Sequence, residues 1–367
     1  LEQDAYCVSS ALADYWVEHG QHQASADSIK ARLKLFNRFL EAEMTSGRIP
    51  ASLTPDLVDD QLLARFRKWG LADPIVARRK NDAGEWVPGK SRSRSASTVE
   101  ESIIQLKAVL NHAFKRRRTR YVPPLQHKTR DQVTPQRTYR LSVAALGELL
   151  DYSLKGAGNY AGHSDRLLPL RRYLIASICT VGRPDAIFDM SVAPSREQWL
   201  SDSGLFALNP AGRVQTKKVR PTLPVVPLLR SWLEATDEWF VCKQISRVDS
   251  DTGLEVTEQR GIGSVRSAWN GARAALGMPD GWGPKLIRHS MATILANRRV
   301  DLAELRMAMG HEVLGKTTGR YAIFDPGYLG TVKAGIEDVI ADLMKAAGPA
   351  LHAKLTQNSS PAAVSRP

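Results

Sequence analysis

Tyr321 lies ten residues after His311, and His311 closes the triplet Met309-Gly310-His311. Earlier in the same C-terminal stretch stands Arg288-His289-Ser290-Met291-Ala292-Thr293. In that order the segment holds a phosphate clamp, a hydrogen-bond donor and a nucleophile. Far upstream, Thr180-Val181-Gly182-Arg183-Pro184 and Thr216-Lys217-Lys218 add cations. The chemistry this suits is attack of a tyrosine on a phosphodiester. Such an attack needs cations to neutralise the non-bridging oxygens as charge builds, and a frame that holds the attack in line. It also needs a proton donor for the leaving 5′ oxygen. A tyrosine ester can store the broken bond for later rejoining. The planar guanidinium of arginine binds phosphate through two donors at once. No step calls for a metal or a nucleotide, so no cofactor is expected.

The whole chain agrees with a polyanionic substrate. Its 367 residues suggest two domains, and 43% hydrophobic residues suffice for two cores. The formal charge is +13. Between Arg65 and Arg140 stand 19 Lys and Arg against 6 Asp and Glu, which accounts for all of that excess. A basic zone of this kind marks a nucleic-acid footprint. No apolar run approaches the roughly 18 residues of a membrane span, and the opening residues show no secretory leader. A cytoplasmic, nucleoid-associated location is therefore expected, with no membrane partner. Cys7, Cys179 and Cys242 are too far apart to suggest a zinc site or a disulfide framework.

The elements that must position these residues follow from periodicity. Ile29, Leu33, Phe36 and Leu40 recur at helical spacing. Thr54-Pro55-Asp56 reads as a helix start leading to Leu57, Leu62, Phe66 and Trp69. Ser97-Thr98-Val99-Glu100 reads as a capping box before a stripe of Val99, Ile103, Leu106, Leu110 and Phe114. That helix ends in Lys115-Arg116-Arg117-Arg118. Residues 1–125 thus form a helical domain and 126–138 a linker. Ser142 opens another helix, and the helix through Tyr173–Thr180 stops at Gly182. Leu205–Leu208 and Thr222–Val226 read as short strands around a basic turn. Val265, Trp269, Ala272 and Leu276 share a helix face, and so do Val332, Ile336, Val339, Ile340 and Leu343. Residues 139–347 make a mixed α/β domain, and 348–367 a flexible tail. The fold class is mainly α with a small antiparallel β-sheet.

Gly84-Glu85-Trp86-Val87-Pro88-Gly89-Lys90-Ser91 fits the phosphate-loop pattern letter for letter. Such a loop needs a buried strand before it and a helix after it. Its flanks are Arg78-Arg79-Lys80 and Arg92-Ser93-Arg94, which offer neither. A flexible basic loop between two helices, touching DNA phosphates, is expected instead.

The four boxes, in this order, resemble those of the tyrosine recombinase (phage integrase) family. Arg288–Thr293 is similar to that family's Arg-His-x-x-Ala-Thr box. Met309-Gly310-His311, Thr317-Thr318 and Tyr321 resemble its Gly-His to Tyr segment. Thr180–Pro184 resembles the first arginine box, and Gln215–Pro224 the hairpin with the lysine. The resemblance implies a helical core-binding domain and a mixed α/β catalytic domain closing on double-stranded DNA, as a homotetramer and with accessory DNA-bending proteins. It implies Tyr321 as the nucleophile of a 3′-phosphotyrosyl link, and Arg183 and Arg288 as the clamp. Lys217, with Lys218 as competitor, would protonate the 5′ oxygen. His311 would bond a phosphate oxygen, and Lys285 would stand where the family often has histidine. The step from His311 to Tyr321 is one residue longer than the family's. Ala186 replaces a supporting acid, for which Asp185 or Asp189 could substitute.

Taken singly, each residue has an ordinary reading. Arg183 would be a surface ion pair, Lys217 and Lys218 a solvated turn, His289 a packing residue, and Tyr321 a core residue with Tyr328 as rival. DNA contacts are expected from Arg78, Arg79, Lys80, Lys90, Arg92, Arg94, Lys115, Arg116, Arg117 and Arg118. Strand relaxation of the type IB topoisomerase kind, or DNA binding without chemistry, are the other functions this composition allows.

Overall fold

The computed structural model describes residues 6–216, 218–248, 255–311, 327 and 329–353. The chain divides into two compact units, Leu1–Thr138 and Tyr139–Pro367. In the first, helices α1 (Val8–Glu18), α2 (Ala26–Thr45), α3 (Asp60–Ala72) and α4 (Ala96–Lys115) surround one core. Phe36, Phe39 and Phe66 meet at its centre, with ring centroids 4.9 to 5.8 Å apart. A short helix, α5 (Arg130–Val133), lies near the end of this unit.

Two helix starts differ from the sequence reading. Pro55–Leu57 is a single 3-10 turn with Leu57 61% exposed. The helix begins at Asp60, where Asp59 Oδ1 accepts from the Leu62 amide at 2.7 Å. Helix α4 is capped by Ser95, whose Oγ accepts from the Thr98 amide. Glu100, the expected box partner of Ser97, turns inward. It accepts from Arg67 Nε at 2.6 Å and from the Lys128 amide at 2.8 Å. Arg67 also donates to the Gln126 carbonyl, so the first residues of the expected linker are tied to this unit. Val99, Ile103, Leu106 and Leu110 are buried as their spacing requires, whereas Phe114 is 48% exposed.

Between α3 and α4 the expected flexible loop is a β-hairpin. β1 (Ile75–Lys80) pairs antiparallel with β2 (Trp86–Arg92), with a register shift between Val76 and Arg78. The phosphate-loop match falls on its turn and second strand, so strand–turn–strand replaces the strand–loop–helix that nucleotide binding requires.

The second unit is built around α7 (Ser164–Thr180), every residue of which is buried from Leu170 onward. Helix α6 (Val143–Lys155) starts at Ser142, whose Oγ accepts from the Ala145 amide. A short helix, α8 (Pro184–Phe188), follows α7. Strands β3 (Trp199–Leu200), β4 (Leu205–Ala207) and β5 (Thr222–Pro224) form an antiparallel sheet in chain order. After α9 (Pro227–Leu233) comes an unforeseen hairpin, β6 (Cys242–Val248) with β7 (Glu255–Gly261). Helices α10 (Arg266–Ala275), α11 (Leu286–Asn297) and α12 (Leu302–Ala308) complete the frame of the site.

The last described helix, α13 (Gly330–His352), packs on α6 of its own unit. A Cβ at Gly147 would stand only 3.1 Å from the Ala346 Cβ, so glycine permits the close approach. Residues 348–353, expected to open a flexible tail, are held in place instead. Ala350 and Leu351 are fully buried, Trp232 Nε1 donates to the Leu351 carbonyl, and Arg171 Nη1 donates to that of Ala353. The helix kinks at Ala347 (φ −142°, ψ 30°), just before Gly348 and Pro349, and these buried side chains and partnered carbonyls hold the segment beyond the kink. Among the described residues no helix is long and apolar enough to cross a membrane.

Candidate active site

Helix α7 ends not at a glycine but at Val181, which takes the left-handed conformation at φ 49° and ψ 25°. A β-branched residue is strained there, and complete burial of Val181 holds it in place. The turn presents the Val181 carbonyl to Arg288, whose Nη1 donates to it at 2.7 Å. The chain then enters α8, with Arg183 as the cap residue and Pro184 at the first helical position.

Arg183 and Arg288 are held by backbone carbonyls from separate segments. Arg183 Nη1 donates to the Val219 carbonyl at 2.7 Å, and its Nη2 to that of Gly310 at 3.2 Å. Arg288 Nη2 donates to the Met309 carbonyl at 2.7 Å and lies 3.4 Å from His311 Nε2. Both guanidinium groups therefore grip the turn at Met309-Gly310-His311. Gly310 sits at φ +64°, and a Cβ there would overlap the Val219 carbonyl and stand 3.2 Å from Arg183 Nη1. Only glycine fits this position without moving a clamp residue.

The site is strongly electropositive. Burial pulls the Arg288 guanidinium down to about 10, and the charge of Arg183 adds to the effect. It remains cationic at neutral pH. Burial also lowers His311 below its ordinary 6.5, reinforced by Arg288, Arg183, Arg306 and Lys285. Lys285, the exposed residue before α11, and Arg306 on α12 thus stand near enough to His311 for their charges to act on it. Several cations gathered around one turn favour an anion there, and phosphate fits two arginine forks.

The support for Arg183 differs from the expectation. Asp185 and Asp189 both pair with Arg220, which is only 8% exposed; the Asp185 contact is 3.1 Å. Gln215 brackets the same residue, donating to its carbonyl at 3.0 Å and accepting from its amide at 3.1 Å. The two acids thus act one step away: they fix Arg220, and the adjoining Val219 carbonyl takes the Arg183 donor. Nothing in the sequence singles out Arg220, since backbone acceptors carry no residue signature. Lys218 is exposed, and its amide donates to Thr216 Oγ1. Lys217, Tyr321, Tyr328 and Thr317-Thr318 lie outside the described residues.

No protein-family model matches the chain, and no curated protein matches it in sequence. Solved structures do match. The Tn1549 transposon integrase in complex with circular intermediate DNA aligns with a TM-score of 0.51 at 16% identity, over 88% of this chain and 98% of that one. The same integrase in complex with transposon right end DNA aligns at 0.51 and 15% identity, over 91% and 99%. The fold is that of a tyrosine recombinase.

Within this recombinase fold the expected DNA-contacting cations separate into two groups. Arg78, Arg79 and Lys80 on β1, and Lys90 and Arg92 on β2, are exposed. Arg94 is not available in the same way. It pairs with Asp73 at 2.8 Å and is 11% exposed, and Asp73 also takes Arg38 at 2.5 Å. At the end of α4, Arg118 pairs with Asp14 at 2.9 Å and with Glu18 at 2.5 Å, while Arg116 reaches Glu18 at 3.2 Å. These pairs fasten α4 to α1, whose last turns supply the carboxylates. Lys115 and Arg117 are exposed.

Proposed function

We propose that the protein is a site-specific recombinase of the tyrosine recombinase family, which cleaves and rejoins double-stranded DNA through a 3′-phosphotyrosyl intermediate. The observation that carries this reading is the convergence of Arg183, Arg288 and His311 on one turn, with Lys285 beside it. Tyr321 follows His311 by ten residues, within reach of the clamp along the chain. Its phenolic oxygen attacks phosphorus as the phenol gives up its proton to solvent. The bond from phosphorus to the 5′ oxygen breaks, and Lys217 or Lys218 delivers a proton to that oxygen. Arg183 and Arg288 hold the non-bridging oxygens throughout, and His311 bonds one of them. Rejoining runs the same steps backwards with the 5′ hydroxyl of a partner strand. Residues 1–125 serve as the core-binding domain and 139–347 as the catalytic domain. The working assembly is a homotetramer on DNA, assisted by DNA-bending proteins.

The test is a suicide duplex, nicked so that the released 5′ fragment diffuses away, incubated with the full chain without ATP. A covalent protein–DNA adduct is expected, with the DNA mapped to Tyr321. An adduct still formed by Tyr321→Phe would overturn the nucleophile assignment. Absence of any adduct from the unaltered chain, on DNA that it binds, would overturn the enzyme reading.

A further inference from the structure

The geometry points to the β1–β2 hairpin as a ribbon that enters the major groove of duplex DNA, an inference that rests on the DNA-recombinase reading above. The hairpin is exposed on both faces. Of its strand residues only Ile75, Val87 and Gly89 are partly covered, and Trp86 is 63% exposed. A strand pair that buries neither face contributes little to the core, so its sequence is free to serve another surface. That sequence is cationic: Arg78, Arg79 and Lys80 on one strand, Lys90 and Arg92 on the other. None of the five makes an ion pair with another described residue, whereas Arg94 at the root of the hairpin does.

Register and alternation distribute these charges. Arg78 lies opposite Pro88 and Lys80 opposite Trp86, so these four share a face, and Arg79 opposite Val87 takes the other. Lys80 Nζ sits 5.6 Å above the Trp86 ring. Both faces thus carry cations, as a ribbon lying between two phosphate ridges requires. Two strands about 4.8 Å apart, with their side chains, match the roughly 12 Å width of the major groove. The tip has the opposite character. Asp82 is exposed there and Glu85 completes the turn. Carboxylates repel a phosphate ridge, but base edges in the major groove include amino groups that can donate to them. Cations along the strands and acids at the tip therefore fit entry tip first rather than contact along the backbone. The turn is rigid enough for this. Asn81 Oδ1 accepts from the Glu85 amide at 2.8 Å, the Gly84 amide donates to the Asn81 carbonyl at 3.0 Å, and Gly84 takes φ +80°.

The experiment compares the full chain with a neutral-ribbon variant, Arg78→Gln, Arg79→Gln, Lys80→Gln, Lys90→Gln and Arg92→Gln, on mixed-sequence duplex DNA. Each lost phosphate contact lowers the slope of log affinity against log salt by about 0.9. A fall of roughly three to four units is expected, together with loss of dimethyl sulfate protection at guanine N7, which faces the major groove. A second variant, Arg78→Lys, Arg79→Lys and Arg92→Lys, keeps the charge and should retain the slope, which separates lost contacts from lost folding. A neutral variant with unchanged slope and unchanged N7 protection overturns the inference, as does a lysine variant that loses the slope. An unchanged slope with altered assembly on DNA would give the ribbon to a second copy of the chain and equally overturn it. If the unaltered chain forms the covalent adduct in any of these cases, the recombinase reading stands and only the ribbon falls. If it binds no DNA at all, both fall.

Discussion

His311 carries its chemistry in a lowered pKa. In the free protein, burial and the surrounding cations lower it below its ordinary 6.5 and favour the neutral imidazole. A phosphate entering between Arg183 and Arg288 brings negative charge to the same point and favours the imidazolium. The pKa therefore rises on binding, and a group whose bound pKa exceeds its free one takes up protons as the complex forms. Affinity for DNA should weaken as pH rises through the bound pKa, with the free value as the lower edge of the window. His311→Gln should flatten that dependence, read from dissociation constants across pH 5 to 8 at constant salt, a range set by where histidine ordinarily titrates. A dependence that survives the substitution would place the titrating group elsewhere. Arg288 invites a harder test, because its donors hold the Val181 and Met309 carbonyls and it is one half of the proposed phosphate clamp. Arg288→Lys keeps a cation but not the fork. It should lower the single-turnover cleavage rate by about 100-fold or more, the usual effect of removing a donor aimed at transition-state charge, while changing DNA affinity far less.

At the scale of elements, the turn at Gly310 joins the two arginines to the histidine. Gly310→Ala has no strain-free solution, since the added carbon overlaps the Val219 carbonyl and the backbone is left-handed. Either the turn or the segment carrying Val219 must move, and Arg183 is bonded to both. Displacing a clamp by about 1 Å costs on the order of 100-fold in rate, so cleavage of the suicide duplex should fall by that amount. The melting temperature should fall only modestly, because the turn lies at the edge of the core; equal losses of stability and activity would argue against a positioning role. Much of this architecture was legible in the residues. The Val99 to Leu110 stripe, the Ser142 cap and the strands around Leu205 and Thr222 all announced themselves, because each buries one face or satisfies a specific backbone donor. The hairpins at β1–β2 and β6–β7 did not. The first is solvated on both faces, so no alternation of apolar and polar residues marks it, and its charge resembled a loop. The arginine boxes were legible as types in order, but their partners were not. Val181, Val219, Met309 and Gly310 contribute carbonyls, to which side-chain identity is blind. The left-handed turn at Val181 even contradicts the local preference that pointed to Gly182, because burial of the valine outweighs its strain.

The two units of the whole molecule differ in how they use charge, and acid should separate them. In the first unit, Glu18 is held down to about 2 by Arg118 and His112. Burial pushes Glu43 and Glu100 up, but Arg48 and Arg65 on the one, and Arg67 and the Lys128 amide on the other, outweigh it and hold both below 4.5. These carboxylates tie helices together: Glu18 joins α1 to the end of α4, Glu43 joins α2 to α3, and Glu100 joins α4 to α3. A carboxylate with a depressed folded pKa stabilises the fold above its unfolded value and loses that contribution as pH falls through the folded one. For the first unit the window therefore opens near 4.5 and extends to about 2. Protonation there also strips negative charge from a unit already rich in cations between Arg65 and Arg140, so self-repulsion grows in the same direction. In the second unit the only described carboxylate with a lowered value is Asp342, a half-buried partner of Arg298. Its core rests on apolar contacts around α7, which acid leaves intact. Hydrogen exchange of the full chain, followed from pH 5 downward and corrected for intrinsic rates, should show α1 through α4 losing protection at a higher pH than α7 and α11. Loss of protection in α7 first, or in both units together, would mean that the carboxylate pairs of the first unit are not what sets its acid stability.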